Sequence, residues 1–540
     1  MKIHLKILGI DTPQLYLFLA TVCFSLSLEP FGFATAGFLC LLFLLLVTKE
    51  IIKYKRLRSA ILYTVQFSFF ITCTTFFWMG AALRNITGHG HLVTAFLFFV
   101  YACFSFYKIG IVFLGSYLFT KDRVVKETQF YLLVFPALFL LSDWLCPMVF
   151  PVYWGDLFRN QILWRQMARF GTEVLGLVSV LSVVLLFLMV SNREYQWKQT
   201  LIYLFPIVLI FSSNLFFLAE SIPVEKNIHL VLVQPNTPYA KNQIREDFGF
   251  MTKTLQDVYN LSREAIQNAP KPIDAMILPE SSVPFLGTLA SENPNTTYSK
   301  SFVEMTESLV GLANAPLLFN ELVWDEGSRN SFSILQPITL QTDRRYKHIL
   351  LPFGEYLPME REFPILRSLF PEASRHVPNI EFLSQSIQTK AGETVIFTPL
   401  ICYEVLYPEF VRKMVLASPS ELLINLTNDS WFESVTETKQ HAGAGRLRAI
   451  ESGRPYIRVA VSGMSTAYDP WGRDMMGELP IFQKAIGYLD VGTVSHFRTT
   501  PFLQFGPYPW RILAILVLFF VFFTSPKAFD SHKKKNEIEI

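Results

Sequence analysis

Long apolar runs fill the first 219 positions of the chain and then stop. Spanning a hydrocarbon core of about 30 Å takes about 20 residues at 1.5 Å rise each. Seven stretches come near that need, at 13–30, 35–49, 60–82, 92–118, 130–150, 173–191 and 201–219. An eighth, WRILAILVLFFVFF within 509–525, precedes a lysine-rich tail. One such run can be a buried core helix, but eight in this arrangement predict a polytopic α-helical membrane region. From 220 to 508 the pattern changes, and strand-like runs at 229–234, 275–280, 316–323, 331–335, 394–401, 421–427 and 456–462 alternate with helical stretches near 248–268, 300–312 and 438–452. Strands interleaved with helices predict an α/β layer architecture. The expected division is 1–219 for seven transmembrane helices, 220–508 for a globular domain, and 509–540 for an eighth helix and a basic tail.

Composition agrees: 51% hydrophobic residues, 51 phenylalanines and a mean hydropathy of +0.33 mark a membrane protein. The net charge of +3 is small, and Lys and Arg gather beside apolar segments rather than along one polar face, which excludes nucleic acid as the expected partner. If eight segments alternate, the loop with Lys49, Lys53, Lys55, Arg56 and Arg58, that with Lys121, Arg123 and Lys126, that with Arg193 and Lys198, and the tail with Lys533, Lys534 and Lys535 share one side. The positive-inside rule makes that side cytoplasmic and puts 220–508 outside. Arg159, Arg165 and Arg169 in an opposite loop weaken the contrast. A signal peptide beginning with Lys2 and Lys6 and cleaved after Ala34-Thr35-Ala36 competes with the first span, but Glu29 and Pro30 interrupt the run and another apolar segment follows at once. No intramembrane charged pair suggests an ion pathway, and Asp143 in the fifth segment is the position to inspect.

Five of the six cysteines lie in apolar stretches, which leaves Cys402 alone in the polar half. Without C-x-x-C or H-E-x-x-H spacing, neither a disulfide framework, a metal site nor a cofactor is expected. A free cysteine after a strand is often a small buried hydrophobe. As a nucleophile it needs a base and a cation, because its ordinary pKa of about 8.5 leaves it protonated. Glu280, ending AMILPE, and Lys347, in RRYKHILLPFGEYLP, occupy comparable settings at or beyond apolar runs. A carboxylate can take the thiol proton, and an ammonium beside both can stabilise the thiolate and then an oxyanion. The backbone N–H of Tyr403 is a candidate oxyanion donor, and Glu355 and Glu404 are further carboxylates able to fix the lysine or shuttle a proton. Taken singly, Glu280 could precede a helix cap at Ser281 or Ser282, and Lys347 could be a solvated charge. His348 is expected to be structural and His441 to sit on the helix after NDSWF.

The PE at 279–280, YKHILLPFGEYLP at 346–358 and ICYE at 401–404, in that order, resemble the glutamate, lysine and cysteine motifs of the nitrilase superfamily. With NDSWF at 428–432 and the domain set between the seventh and eighth spans, the whole resembles the apolipoprotein N-acyltransferases. The resemblance implies an αββα sandwich and ping-pong acyl transfer on the outer face of the bacterial cytoplasmic membrane. Cys402 would take an acyl chain from a phospholipid as a thioester, with Glu280 as general base and Lys347 stabilising charged intermediates. The α-amine of an apolipoprotein's diacylglyceryl-cysteine would then accept the chain. Tyr403, Glu404 and Glu355 would support the site, and the enzyme is expected to be a monomer that needs no cofactor.

One departure concerns VQPNTPYAKNQ, which keeps Gln234, Asn236 and Pro238 but has Gln243 near the family's tryptophan, so that another aromatic such as Tyr239 would have to substitute. Candidate substrate contacts are Gln234, Asn236, Asn330, Phe363, Leu366, Phe370 and Trp431. In MEREFPILRSLFPEA, Phe363, Leu366 and Phe370 recur at helical spacing, a pattern fitting either a helix dipping into a bilayer surface, with Pro364 in its first turn, or an ordinary packed arm. Trp431-Phe432 fits either a lipid-facing tip or core. Two other functions stay open: a membrane-anchored amidase or nitrilase, and a transporter or receptor with an exported binding domain.

Overall fold

The computed structural model describes residues 12–33, 35–191, 197–219, 224–241, 244, 247–288, 296–418, 420–493 and 499–527. Lys2, Lys6, Ala34, Arg193, Gln243 and the tail lysines 533–535 lie outside the described residues. Each expected membrane segment is helical over most of its length, with breaks at 76–78 and 105–108 and a non-helical end at 146–150. His91–Lys121, Glu127–Leu145, Thr172–Ser191 and Leu201–Ala219 are long and apolar enough to cross a bilayer, and Leu57–Thr75 with Met79–Thr87 makes a fifth candidate bent by 86°. The helices Thr12–Ser27 and Tyr508–Thr524 are shorter, and Ala36–Tyr54 carries Lys49, Glu50 and Lys53 near its end. Length and apolarity therefore support four or five spans among the described residues rather than settling on eight. The exposed side chains of Leu201–Ala219, including Phe205, Leu209 and Phe216, match a lipid-facing helix.

One expectation is corrected inside the helical part. Asp143 is paired: Lys108 Nζ donates to its Oδ1 at 2.7 Å, with both side chains 1% exposed. The residues are 35 positions apart on neighbouring helices, so no local pattern links them. Lys108 also donates to the Val152 carbonyl, and the Trp154 N–H donates to Asp143 Oδ2 at 3.2 Å. A pair whose remaining bonds go to the 152–154 backbone holds a loop, and it offers no ion pathway.

Beyond residue 224, eleven strands among the described residues form two sheets: β1 Lys226–Gln234, β2 Ala275–Ile277, β3 Leu317–Trp324, β4 Ser328–Leu335, β5 Thr342–Tyr346, β6 Gln385–Gln388, β7 Thr394–Ile401, β8 Leu422–Thr427, β9 Tyr456–Ala460, β10 Thr466–Tyr468 and β11 Ala485–Thr493. Their orders are β11-β1-β2-β3-β4-β5 and β10-β9-β8-β7-β6. Leu230, Ile277 and Ile334 from one sheet meet Phe397, Ile424 and Val459 from the other in a single apolar layer. Helices Phe248–Gln267 and Thr296–Ala313 cover the outer face of the first sheet, and Pro408–Ala417 and Val435–Ser452 that of the second. The result is the expected α-β-β-α sandwich. Asp247 caps the first of these helices through the Phe250 N–H, and Ser434 caps the last through that of Glu437. Gly445 lets the last helix lie close on β9, because a Cβ there would stand 2.1 Å from the Tyr456 ring.

The helical part and the sandwich meet through polar contacts at one end of the helices. Trp78 Nε1 donates to Gln440 Oε1 at 3.1 Å, Asn85 Nδ2 to the Trp431 carbonyl at 2.9 Å, and the Thr172 N–H to Glu451 Oε1 at 2.7 Å. Arg159, the loop cation that blurred the charge contrast, is buried against Glu29, donating from Nε to Oε2 at 2.9 Å. At the other end, the Val124 N–H donates to the Pro526 carbonyl at 3.0 Å, so the loop carrying Lys121, Arg123 and Lys126 adjoins the end of the last helix.

Candidate active site

Three strand ends supply the candidate catalytic residues. Glu280 lies three positions beyond β2, Lys347 directly follows β5, and Cys402 directly follows β7. Cys402 has φ +49°, in the left-handed region that non-glycine residues occupy at a cost of roughly 1–3 kcal/mol. It opens a short 3-10 turn, Cys402–Leu406, and its carbonyl accepts from Asn425 Nδ2 at 3.2 Å and faces His441 Nε2 at 3.3 Å. His441 is on the expected helix, and its Nδ1 meets Asp429 Oδ1 at 3.0 Å. Asp429 of NDSWF also accepts from Arg458 and Thr438, so the motif's buried carboxylate braces the residues behind the cysteine.

The charged residues form one buried group. Lys347 Nζ donates to Glu355 Oε1 at 2.8 Å and stands 3.4 Å from Glu280 Oε1. Asn330 Nδ2 donates to both carboxylates, at 2.9 Å to Glu280 and 3.0 Å to Glu355, while its Oδ1 accepts from Asn320 Nδ2 at 2.6 Å. The Leu351 N–H satisfies the other Glu355 oxygen at 2.8 Å. Glu404 does not reach the lysine: it accepts the backbone N–H groups of Ile401 at 2.8 Å, His348 at 2.6 Å and Ile349 at 3.2 Å. It thereby ties the lysine segment to the cysteine turn. His348 is structural as expected, with its N–H on Glu404 and its ring stacked on Phe382.

Electrostatics separate the two glutamates around one ammonium. Burial pushes the Glu280 carboxyl up, with Glu355 adding to the rise and Lys347 and Asn330 opposing it, and the Cys402 thiol hydrogen-bonds to it. Burial acts the same way on Glu355, but Lys347, His376 and the Leu351 N–H overcome it and hold that carboxyl low. Burial disfavours the Lys347 ammonium, yet the two carboxylates outweigh it and raise its pKa. Burial, then the charge of Glu280, raises the Cys402 thiol well above its ordinary value. Glu355 is therefore the standing counter-ion of Lys347, and Glu280 is the carboxylate with the greater proton affinity.

All four residues border a cavity of about 780 Å³. Its walls come from both parts of the chain: Phe76, Trp78, Phe150 and Tyr153 from the helical part, and Tyr239, Phe285, Trp324 and Trp431 from the sandwich. The bend between Thr75 and Met79 brings Phe76 and Trp78 into this wall. Tyr403 lines the cavity as well, but its hydroxyl donates to the Val149 carbonyl of the helical part and accepts from Tyr407 at 2.5 Å.

The candidate substrate contacts divide. Asn330 and Trp431 line the cavity, as does Tyr239, whose ring centroid lies 4.6 Å from that of Trp431. Phe432 is core, packed on Trp78 and Phe150. Gln234 is fully buried and spends its amide on the carbonyls of Pro480 and Gln483 and on the Ser465 hydroxyl. Asn236 borders a different, smaller cavity. Phe363, Leu366 and Phe370 are absent from the cavity wall, because the expected helix lasts only from Ile365 to Leu369. Phe370 turns inward on Phe353 at 4.9 Å, whereas Phe363 is 54% exposed. Sequence reasoning missed Trp78, Phe150 and His376 as lining residues. The two aromatics look like any others in an apolar segment, and His376 lies in an irregular stretch.

Comparison with known proteins follows the same division. The family model described as apolipoprotein N-acyltransferase N-terminal domain matches residues 20–176, and that described as carbon-nitrogen hydrolase matches residues 243–498. The chain is 31% identical to apolipoprotein N-acyltransferase 1 of Leptospira interrogans serogroup Icterohaemorrhagiae serovar copenhageni, over 92% of this chain and 95% of that one. It is 30% identical to the apolipoprotein N-acyltransferase of Pseudomonas syringae pv. tomato, over 51% of this chain and 52% of that one. An amidase from Nesterenkonia sp. aligns at 14% identity with a TM-score of 0.36, covering 54% of this chain and 99% of that chain. Both regions match, and one relative aligns along nearly its full length; the chain belongs to the apolipoprotein N-acyltransferase family.

Proposed function

We propose that this protein is an N-acyltransferase that moves an acyl chain from a phospholipid, through a thioester on Cys402, to the α-amine of an apolipoprotein's diacylglyceryl-cysteine. The observation that carries this reading is the cavity itself: Cys402, Glu280 and Lys347 border a space walled jointly by membrane helices and the sandwich, where a lipid substrate has access. In the first half-reaction Glu280 takes the thiol proton as sulfur attacks the ester carbonyl. Lys347 stabilises the oxyanion, with the Tyr403 N–H as a further donor, and the C–O bond breaks. Glu280 returns the proton to the departing lysophospholipid alkoxide. In the second, the neutral amine attacks the thioester, Glu280 takes the ammonium proton, and as the C–S bond breaks Glu280 passes that proton to the sulfur, which restores the thiol.

The enzyme acts as a monomer in the cytoplasmic membrane, with residues 220–508 outside the cytoplasm between membrane regions 1–219 and 509–540. The clustering of Lys121, Arg123 and Lys126 at the end of the helices away from the sandwich supports this orientation. A membrane-anchored amidase would use the same triad, but membrane residues in the cavity wall favour a membrane-borne substrate. Intact-mass measurement after incubation with phospholipid vesicles tests the reading. A hydroxylamine-labile acyl adduct on Cys402, discharged by a diacylglyceryl-cysteine peptide, is expected; absence of the adduct would overturn it.

The base assignment carries a pH prediction. Glu280 must be ionised to accept a proton, and its pKa is raised, so adduct formation falls as pH drops through a value above the ordinary carboxylate range. Asn330 donates to Glu280 and favours its charged form. In Asn330→Ala that acid limb moves to higher pH, as measured by the single-turnover rate of adduct formation; an unmoved limb would remove Glu280 from the role.

A further inference from the structure

A second cavity, of about 660 Å³, shares the Tyr239 side of the first. Its lining includes Asn85, Asn236, Lys241, Ser462 and Phe482, with Glu433 at a rim where its side chain is 51% exposed. The loops that form it are fastened to one another. The Asn236 N–H donates to the Val461 carbonyl at 2.7 Å, Asn236 Nδ2 to the Phe482 carbonyl at 3.0 Å, and the Phe482 N–H to the Ser462 carbonyl at 2.7 Å. Asn236 and Phe482 have φ of +56° and +58°, a strain that these bonds hold in place. Ser462 is 3% exposed, and its hydroxyl has no hydrogen-bond partner among the described residues. Such a group on a cavity wall is open to a partner that enters the cavity.

We infer that this cavity binds the polypeptide backbone that follows the acceptor's lipidated cysteine. The inference rests on the acyl-transfer reading and deepens it. An acceptor must place its amine at Cys402 and its lipid in an apolar space, while its chain leaves through polar surroundings. Tyr239 borders both cavities, so its ring is the wall that a chain leaving the triad for the second cavity has to pass. The lining suits a peptide: a hydroxyl can serve a backbone N–H or C=O, and asparagine amides are peptide-like.

The test uses the full chain in detergent or nanodiscs in a Cys402→Ala background, so that nothing is consumed. Two probes carry the same lipid, a diacylglyceryl-cysteine hexapeptide and a diacylglyceryl-cysteine methylamide. Ser462→Val is expected to weaken binding of the peptide probe about fivefold, the size of one lost hydrogen bond, and binding of the methylamide by less than about twofold. Lys241→Ala, a rim change that spares the packing, is expected to show the same selectivity should Ser462→Val fold poorly. Equal weakening of both probes, or no change in either, would overturn the subsite. The Cys402 adduct measurement in the parent enzyme stands apart: its failure would remove the acyl-enzyme reading and leave the binding result to speak for the cavity.

Discussion

Cys402→Ala is expected to lose acyl transfer by at least about 10⁴-fold, the scale on which removal of a covalent nucleophile acts. No acyl adduct forms, because no other described residue bordering the cavity is a thiol. Folding should survive. The substitution removes one sulfur atom from a partly exposed side chain, and the bonds that hold the turn, from Asn425 and His441 to the Cys402 carbonyl, involve backbone and remain. Membrane insertion and the thermal midpoint therefore stay near those of the parent while transfer vanishes. Residual transfer near the parent rate, measured with labelled phospholipid and a lipopeptide acceptor, would sink the mechanism.

Lys347→Ala is expected to slow adduct formation by about 10³-fold, the upper end for loss of one preorganised electrostatic group. Stability suffers too. Glu280 and Glu355 share Asn330 and the lysine, and removing the buried cation leaves them facing each other at a cost of about 3–5 kcal/mol. The pair can lower this cost by keeping a proton, which falls to Glu280, the group already raised. The variant is therefore deficient as a base at neutral pH, and raising the pH restores part of the rate. Lys347→Arg should rescue poorly, because a planar guanidinium cannot replace a compact ammonium between two carboxylates. Loss confined to amine transfer, with adduct formation intact, would mean that the lysine's role is misassigned.

The central strands were legible because β1, β7, β8 and β9 are mostly apolar and buried over most of their length. The strands missed were β5, β6, β10 and β11. TDRRY and QSIQ are short, polar edge strands, and Thr466–Tyr468 has only three residues. In β11, AIGYLDVGT alternates weakly because two glycines and an aspartate interrupt it. At the site, Glu280, Lys347 and Cys402 could be picked out because each follows an apolar strand or a motif run. Asn330, expected only as a substrate contact, had no such mark: from β4 it reaches two glutamates, which only register and twist decide. The stripe Phe363, Leu366 and Phe370 misled because Pro364 and Pro371 leave room for little more than one turn between them. Lys108 and Asp143, alone in their segments, became a pair only once the helices packed.

The 86° bend that carries Phe76 and Trp78 into the cavity wall has a kinetic consequence. A thioester awaiting a second substrate competes with hydrolysis throughout the wait, and the lifetime of the acyl-enzyme depends on how well water is kept from its carbonyl. On the proposed mechanism, part of the barrier against water would come from aromatic rings at the break of a candidate membrane span rather than from the sandwich. The helical part would then help to set the ratio of transfer to wasteful hydrolysis, a duty that an anchor does not have.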